Sequence, residues 1–250
     1  MGARRLRSWI ESPLLDVGRI YERQEAVAEL AAAAELREAI VAQLKAVADL
    51  ERIVSRIEVG SANARDLVAL RNSLSVLPGL KGILEGCGSG LLRKLWKGLH
   101  LHEELAARLQ QAIVDEPPFS VREGGMIRTG YNQELDELQN FEQKIKEETG
   151  IKTMKVGFNK VFGYYIEVSK GQSSSVPPYF VRKQTLVNAE RYIVPELKEF
   201  ENKILGAKEK IEQLEYYLFD ELRTLIRGKI KEIQETARAV SYIDVLTGLA

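Results

Sequence analysis

Cysteine is nearly absent: Cys87 is the single one in 250 residues. That excludes an internal disulfide and fits a reducing compartment. Histidine is scarce too, with only His100 and His102. They stand beside Glu103 and Glu104, but a metal centre needs more ligands at matched spacing. They read as surface or partly buried histidines, and no metal site is assigned. Cys87 has no identifiable base, so it is not read as a nucleophile. No catalytic residue emerges. There is no Gly-x-x-x-x-Gly-Lys-Ser/Thr loop and no Gly-x-Gly-x-x-Gly turn, so neither common nucleotide cradle is present. No uninterrupted apolar run approaches the roughly 18 residues of a membrane span. The N-terminus lacks the apolar core of a signal peptide. A soluble, cytoplasmic protein with no membrane partner and no small-molecule substrate is the expectation. Excess charge of either sign is missing as well: 36 Lys and Arg face 36 Asp and Glu. The molecule as a whole is therefore no general polyanion binder, and any nucleic-acid contact must come from a local patch.

What remains is mostly helical pattern. Leu36, Ile40, Leu44, Val47, Leu50, Val54 and Ile57 recur at spacings of three and four, which places them on one face of a helix. Asn63 is a candidate N-cap for a helix carrying Leu67, Leu70 and Leu74, and Pro78-Gly79 should break it. Residues 86–90, Gly-Cys-Gly-Ser-Gly, read as a loop, and a further helix is expected from about Glu103 to Val114. Pro117-Pro118 closes the helical block. A turn-rich stretch follows from Arg122 to Tyr131. Leu135, Leu138, Phe141 and Ile145 then mark a short helix that Gly150 ends.

The period next changes to two. Val156, Phe158, Phe162, Tyr164, Ile166 and Val168 alternate as strands require, with Asn159-Lys160 suited to a tight turn. After a polar loop over Gly171–Ser175, residues 180–187 read as a strand and 191–194 as a possible fourth. The aromatics Phe158, Phe162, Tyr164 and Tyr165 are read as core packing rather than base-stacking platforms. Pro195 fits the first turn of a helix. From there Leu197, Phe200, Ile204, Ala207, Ile211, Leu214, Leu218, Leu222 and Leu225 form a heptad-like seam over roughly 30 residues. The segment 135–145 is its natural antiparallel partner. The expected fold is mainly α: a multi-helix body with an inserted two-helix coiled-coil arm and a small antiparallel β-sheet tip.

Charge is unevenly spread at that tip. Residues 152–194 hold Lys152, Lys155, Lys160, Lys170, Arg182, Lys183 and Arg191 against Glu167 and Glu190, seven bases to two acids and a net +5. Such groups reach phosphates, and Asn159, Gln184, Thr185 and Asn188 add neutral hydrogen bonds. Nothing is shaped like a recognition helix, so contact would be with backbone and not bases. The competing readings are a solvated basic surface that protects a sheet edge, and a structural coiled-coil module with a protein partner at the basic sheet.

Several strings are recognisable. TGIKTMKVGFNKVFGYYIEV over 149–168 and QTLVNAERYIVPELKE over 184–199 closely resemble the clamp of the MutS family of DNA mismatch-repair proteins. MGARRLRSW over 1–9, DLERIVSRI over 49–57 and NARDL over 63–67 resemble that family's lever helices. GMIRTGYN over 125–132 resembles the approach to the clamp, and YIDVLTGLA over 242–250 its last lever helix. The resemblance implies a lever (core) domain over 1–130 and 226–250, interrupted by a clamp over 131–225. It implies a double-stranded DNA partner and a second copy of the intact protein as a dimer. Lever helices would couple ATPase state to clamp closure. Asn159, Lys160, Lys170, Arg182, Lys183, Gln184, Thr185, Asn188 and Arg191 are the expected DNA-backbone contacts, with Gln184 and Thr185 carried over most directly. The family's mismatch wedge and ATPase domain do not appear. The chain is read as a non-catalytic fragment without cofactor, ATP and Mg belonging to the ATPase domain of the intact protein. Between Leu138 and Thr149 it is also roughly eleven residues shorter than the family's first clamp helix, about three helical turns. Either the arm is shorter or a segment is absent.

Overall fold

The computed structural model of the chain describes residues 1–121, 124–137, 139, 140, 155–159, 163–176, 178–193 and 197–250. They form two compact units. One joins Met1–Arg128 to Leu218–Ala250, and the other is Thr129–Tyr217, inserted between those halves.

The discontinuous unit is helical. It contains α1 (Gly2–Glu11), α2 (Val17–Ala32), α3 (Ala34–Leu44), α4 (Leu50–Glu58), α5 (Ala64–Leu84), α6 (Gly90–Lys97) and α7 (Glu103–Ala112). The long α8 (Leu197–Arg227) contributes its last turns, and α9 (Ile230–Leu249) completes the unit. α9 packs against α1, α2, α3, α4 and α6. Ile233, Ala237, Val240, Ile243 and Leu246 are buried along it. Full burial of each large apolar side chain in such a core stabilises by roughly 1.5–3 kcal/mol.

Two expectations about these helices are corrected. The seam from Leu36 to Ile57 is not one helix. It divides into α3 and α4 because Asp49 turns its carboxylate back to the Arg52 N–H at 3.2 Å and starts a new helix. The intervening chain is held by Ala48 N–H donating to Ser73 Oγ at 2.9 Å. Pro78-Gly79 does not break the next helix either. α5 runs through Pro78 to Leu84, because Leu74, Leu77, Leu80 and Leu84 are buried on both sides of the proline. Their packing outweighs the roughly 3 kcal/mol that an interior proline costs. The Asn63 cap is present as a reciprocal box: Asp66 N–H donates to Asn63 Oδ1 at 3.0 Å, and Asn63 N–H to Asp66 Oδ2 at 2.8 Å. α5 has the length and apolar content of a membrane-crossing helix. Its apolar side is spent on the core, where Leu67, Leu70 and Leu74 are buried.

The inserted unit holds one antiparallel sheet of β1 (Lys155–Asn159), β2 (Gly163–Ser169), β3 (Val181–Thr185) and β4 (Ala189–Ile193), ordered β1-β2-β4-β3. The polar segment expected as a loop is a 3₁₀ helix, Lys170–Ser175. Ile166, Val168, Phe180 and Tyr192 form a small core, with Val176 packed against it. Asn159 is not a turn residue: it ends β1, paired with Gly163. Residues 133–137 are helical and Leu135 is buried. Leu138, Phe141, Ile145, Gly150, Lys160 and Pro195 lie outside the described residues, as do the side chains of Phe158, Phe162 and Tyr164.

α8 confirms a long helix but shifts its seam. Ile211, Leu218 and Leu222 are buried as the spacing predicts, whereas Leu225 is exposed and Ile226 buried in its place. A straight helix drifts about 20° per heptad, which rotates the stripe by one position over that length. Glu215 is buried inside the stripe and accepts from Gln139 Nε2 at 3.3 Å.

Candidate nucleic-acid interface

Register fixes what the sheet can present. Ile166 and Val168 point to the face that carries the small core, and Tyr192, paired with Ile166, joins them. Cross-strand partners share a face, so Glu190 opposite Val168 and Arg182 opposite Tyr192 also lie on that side. There Arg182 Nη1 meets Glu190 Oε1 at 3.2 Å, and Tyr192 Oη donates to Glu190 Oε2. The Glu190 carboxyl is held below its ordinary value, first by the Tyr192 hydroxyl and then by Arg182. Arg182 stays 60% exposed while Glu190 is only 12% exposed, so the arginine shields the acid and still faces water.

The opposite face carries a second row. Arg191 Nε donates to Glu167 Oε2 at 2.9 Å, and Arg191 Nη1 to Gln184 Oε1 at 2.9 Å. The guanidinium carbon lies 4.2 Å from the centre of the Tyr165 ring, within the range of a cation–π contact.

Lys183 marks a register shift in β3. Arg182 pairs with Tyr192, but Gln184 pairs with Arg191. One extra residue in β3 is a β-bulge, and it sends Arg182 and Gln184 to different faces. Lys183 itself is exposed.

Three further candidates gather at one end. Lys170 N–H donates to Asn188 O at 3.1 Å, and Leu186 N–H to Ala189 O at 2.8 Å. This brings Lys170, Thr185 and Asn188 to the turn between β3 and β4, all three exposed. Val187 projects from that turn, 86% exposed. Asn159 lies at the other end. Its partner Gly163 and the turn-side residue Ser169 bracket β2, a separation of roughly 20 Å at about 3.3 Å per residue. The nine candidates therefore do not converge on one point. Arg182 and Gln184 lie on opposite faces, Lys170, Thr185 and Asn188 share an end, and Lys160 is outside the described residues.

The ion pairs were missing from the sequence reading. A count of charges carries no direction, and the pairing of Arg182 with Glu190 and of Arg191 with Glu167 needs the register. Among the described residues, Lys170 and Lys183 form no ion pair with a carboxylate. Nor is there a group of three or more His, Cys, Asp or Glu side chains that would hold a metal, again among the described residues. In the helical unit, a cavity of about 500 Å³ is lined by Arg19, Glu22, Arg23, Lys94, Glu235 and Arg238. Its acids are met by Lys94 on Glu22 at 2.7 Å and His100 on Glu235 at 2.9 Å.

A helical unit split in sequence by a unit with a basic antiparallel sheet defines the class: a core domain with an inserted appendage. The chain belongs to the MutS domain III family, whose family model matches residues 1–250. Similar curated relatives include the DNA mismatch repair protein MutS of Alkaliphilus oremlandii, 47% identical over 261 residues covering 100% of this chain and 30% of the relative. That of Methanosarcina barkeri is 49% identical over 265 residues, covering 100% of this chain and 29% of the relative. The chain is thus a fragment's worth of such a protein, spanning about 30% of these relatives' length. The matched spans of 261 and 265 exceed the chain's 250 residues, so the relatives carry at least eleven further positions within the match.

Proposed function

We propose that the inserted sheet grips the phosphate backbone of duplex DNA without reading bases, as the clamp of a DNA mismatch-repair protein. One observation carries the reading. Both acids of the sheet, Glu167 and Glu190, are already matched by Arg191 and Arg182, so exposed Lys170 and Lys183 keep their charge for an outside polyanion. Exposed Thr185 and Asn188 add neutral donors beside Lys170. The relatives' name supports mismatch-repair DNA as the substrate of the longer protein.

In that longer protein, the helical unit acts as a lever between a separate ATPase and the clamp, and a second copy supplies the other half of the grip. Support comes from α8, one uninterrupted helix that belongs to both units. Packed helices shift as units rather than bending smoothly. ATP and Mg would be held outside this chain, which contributes no catalytic step of its own.

The test is duplex binding by the chain across a salt series. A phosphate binder shows log K falling with log salt at about −0.9 per phosphate neutralised. Replacing Lys160, Lys170, Arg182 and Lys183 with alanine should flatten that slope. An unchanged slope in this variant, or a wild-type chain indifferent to salt, would remove the basis for the clamp.

A further inference from the structure

Arg191 is a cation on a strand of the proposed clamp, yet its surroundings are those of a structural group. Its side chain is 20% exposed, Glu167 balances its charge at 2.9 Å, and Tyr165 lies against its plane. A phosphate would have to displace Glu167 or share the guanidinium with it.

Its other contact has a directional consequence. Guanidinium has five N–H donors and no acceptor, while a glutamine amide has an acceptor oxygen at one end and two N–H donors at the other. Arg191 Nη1 at 2.9 Å therefore admits only the amide oxygen of Gln184. The amide cannot flip without setting two donors against each other. Its nitrogen is left facing away from Arg191, and among the described residues no acceptor meets it. Glu167 and Tyr165 fix the guanidinium, the guanidinium fixes the amide, and the amide presents two N–H groups.

We infer that Arg191 is a positioning residue that holds the Gln184 amide with its N–H groups toward a DNA phosphate, and does not itself touch the phosphate. This rests on the clamp reading. It assigns the contact at this point of the sheet to a neutral donor, which releases no counterion and leaves the salt dependence unaltered.

The experiment measures binding of a fluorescein-labelled duplex by the 250-residue chain over a KCl series, for Gln184→Ala, Arg191→Met and the double variant. Both single changes should weaken binding by the same factor, roughly 3- to 10-fold for one net hydrogen bond. Neither should change the salt slope, and the double variant should be no weaker than either. Gln184→Glu retains an acceptor for Arg191 but offers no donor, so it should bind at least as poorly as Gln184→Ala. In ¹⁵N spectra the Gln184 side-chain amide should shift on adding duplex to the wild type and stay still in Arg191→Met. Should Arg191→Met fail to fold, Arg191→Lys keeps the charge and loses the planar fork, and it should show the same weakening at unchanged slope.

A slope reduced by about 0.9 in Arg191→Met would make Arg191 a direct phosphate ligand. Additive losses, or wild-type affinity in Arg191→Met, would equally overturn the inference. If Lys170→Ala with Lys183→Ala leaves the slope untouched, the clamp reading itself falls, and this inference with it. If that pair flattens the slope while Gln184 and Arg191 act independently, the present inference alone is lost.

Discussion

The Gly2 backbone N–H donates to the Asp244 carboxylate at 2.7 Å, linking the first turn of α1 to α9 across 242 positions of sequence. The first N–H groups of a helix have no partner within it, and a carboxylate there satisfies one and opposes the dipole. A Cβ on Gly2 would overlap that carboxylate. Asp244→Ala should therefore lower unfolding free energy by about 1–3 kcal/mol, as an unmade charged hydrogen bond does. Gly2→Ala should also destabilise, although alanine favours a helix by roughly 1 kcal/mol. Urea midpoints at constant m-value decide both, and a rise in the Gly2→Ala midpoint would contradict the close approach.

Acid should find a second tie made by α1, this one to the N-cap of α4. Arg4 Nη1 donates to Asp49 Oδ2 at 2.5 Å. This bond, with help from the Arg52 N–H, holds the Asp49 carboxyl down at about 2 against an ordinary 3.8. The folded chain keeps this charge at pH values where the unfolded chain has lost it. Stabilisation is then full above about pH 4 and disappears as pH falls through about 2. Asn at position 49 still caps α4 but has no charge to lose. Wild type should exceed Asp49→Asn at pH 6, and the two should converge near pH 2. Because Arg4 is half exposed, high salt should shrink the gap.

His102 predicts a loss in a higher range. It caps α7 in the left-handed region at φ 53°, with its side chain 5% exposed and its Nε2 buried without a hydrogen-bond partner among the described residues. Burial pushes its pKa below the ordinary 6.5, with His100 and Lys229 adding to the effect and Glu232, 3.6 Å away, opposing it. The folded imidazole stays neutral while the unfolded one takes up a proton. Stability should fall as pH drops below about 7. Asn tolerates this backbone region, so His102→Asn should flatten that slope between about pH 7.5 and 5.5 in thermal melts. An identical slope would assign the effect elsewhere.

Pro78 sits exposed inside α5. Alanine there restores an N–H for the carbonyl four residues earlier and sacrifices little packing. Pro78→Ala should stabilise by about 1–3 kcal/mol, less whatever the freer unfolded chain regains. Leu77→Ala, one position away and fully buried, should cost about 2–5 kcal/mol. The opposite signs at adjacent positions separate backbone from core, and a destabilised Pro78→Ala would show that the ring itself packs.

Local signals in the sequence identified what local forces decide. Asn63 announced its cap, the apolar stripe announced α8, and period two announced the strands. Competition between signals was harder to see. Pro78 loses to the leucines around it, and Asp49 divides a stripe that is periodic on both sides. The candidate interface was legible as composition only. Lys170 meets Asn188 because of how strands pair, and Arg191 faces Glu167 for the same reason. An alternating pattern says that a residue has a side, but it does not say which neighbour shares it.

The additional residue at Lys183 changes the parity of β3. Upstream of it, even-numbered positions lie beside Tyr192; downstream, odd-numbered Thr185 pairs with Glu190 and even-numbered Gln184 with Arg191. Were β3 regular with all its residues in place, Lys183 would stand opposite Arg191 and Gln184 opposite Glu190, and the amide would leave its guanidinium with every side chain unchanged in identity. The hairpin is thus constrained in register more tightly than in composition: losing Lys183 would keep Gln184 opposite Arg191, whereas closing the bulge with Lys183 retained would rewire the sheet.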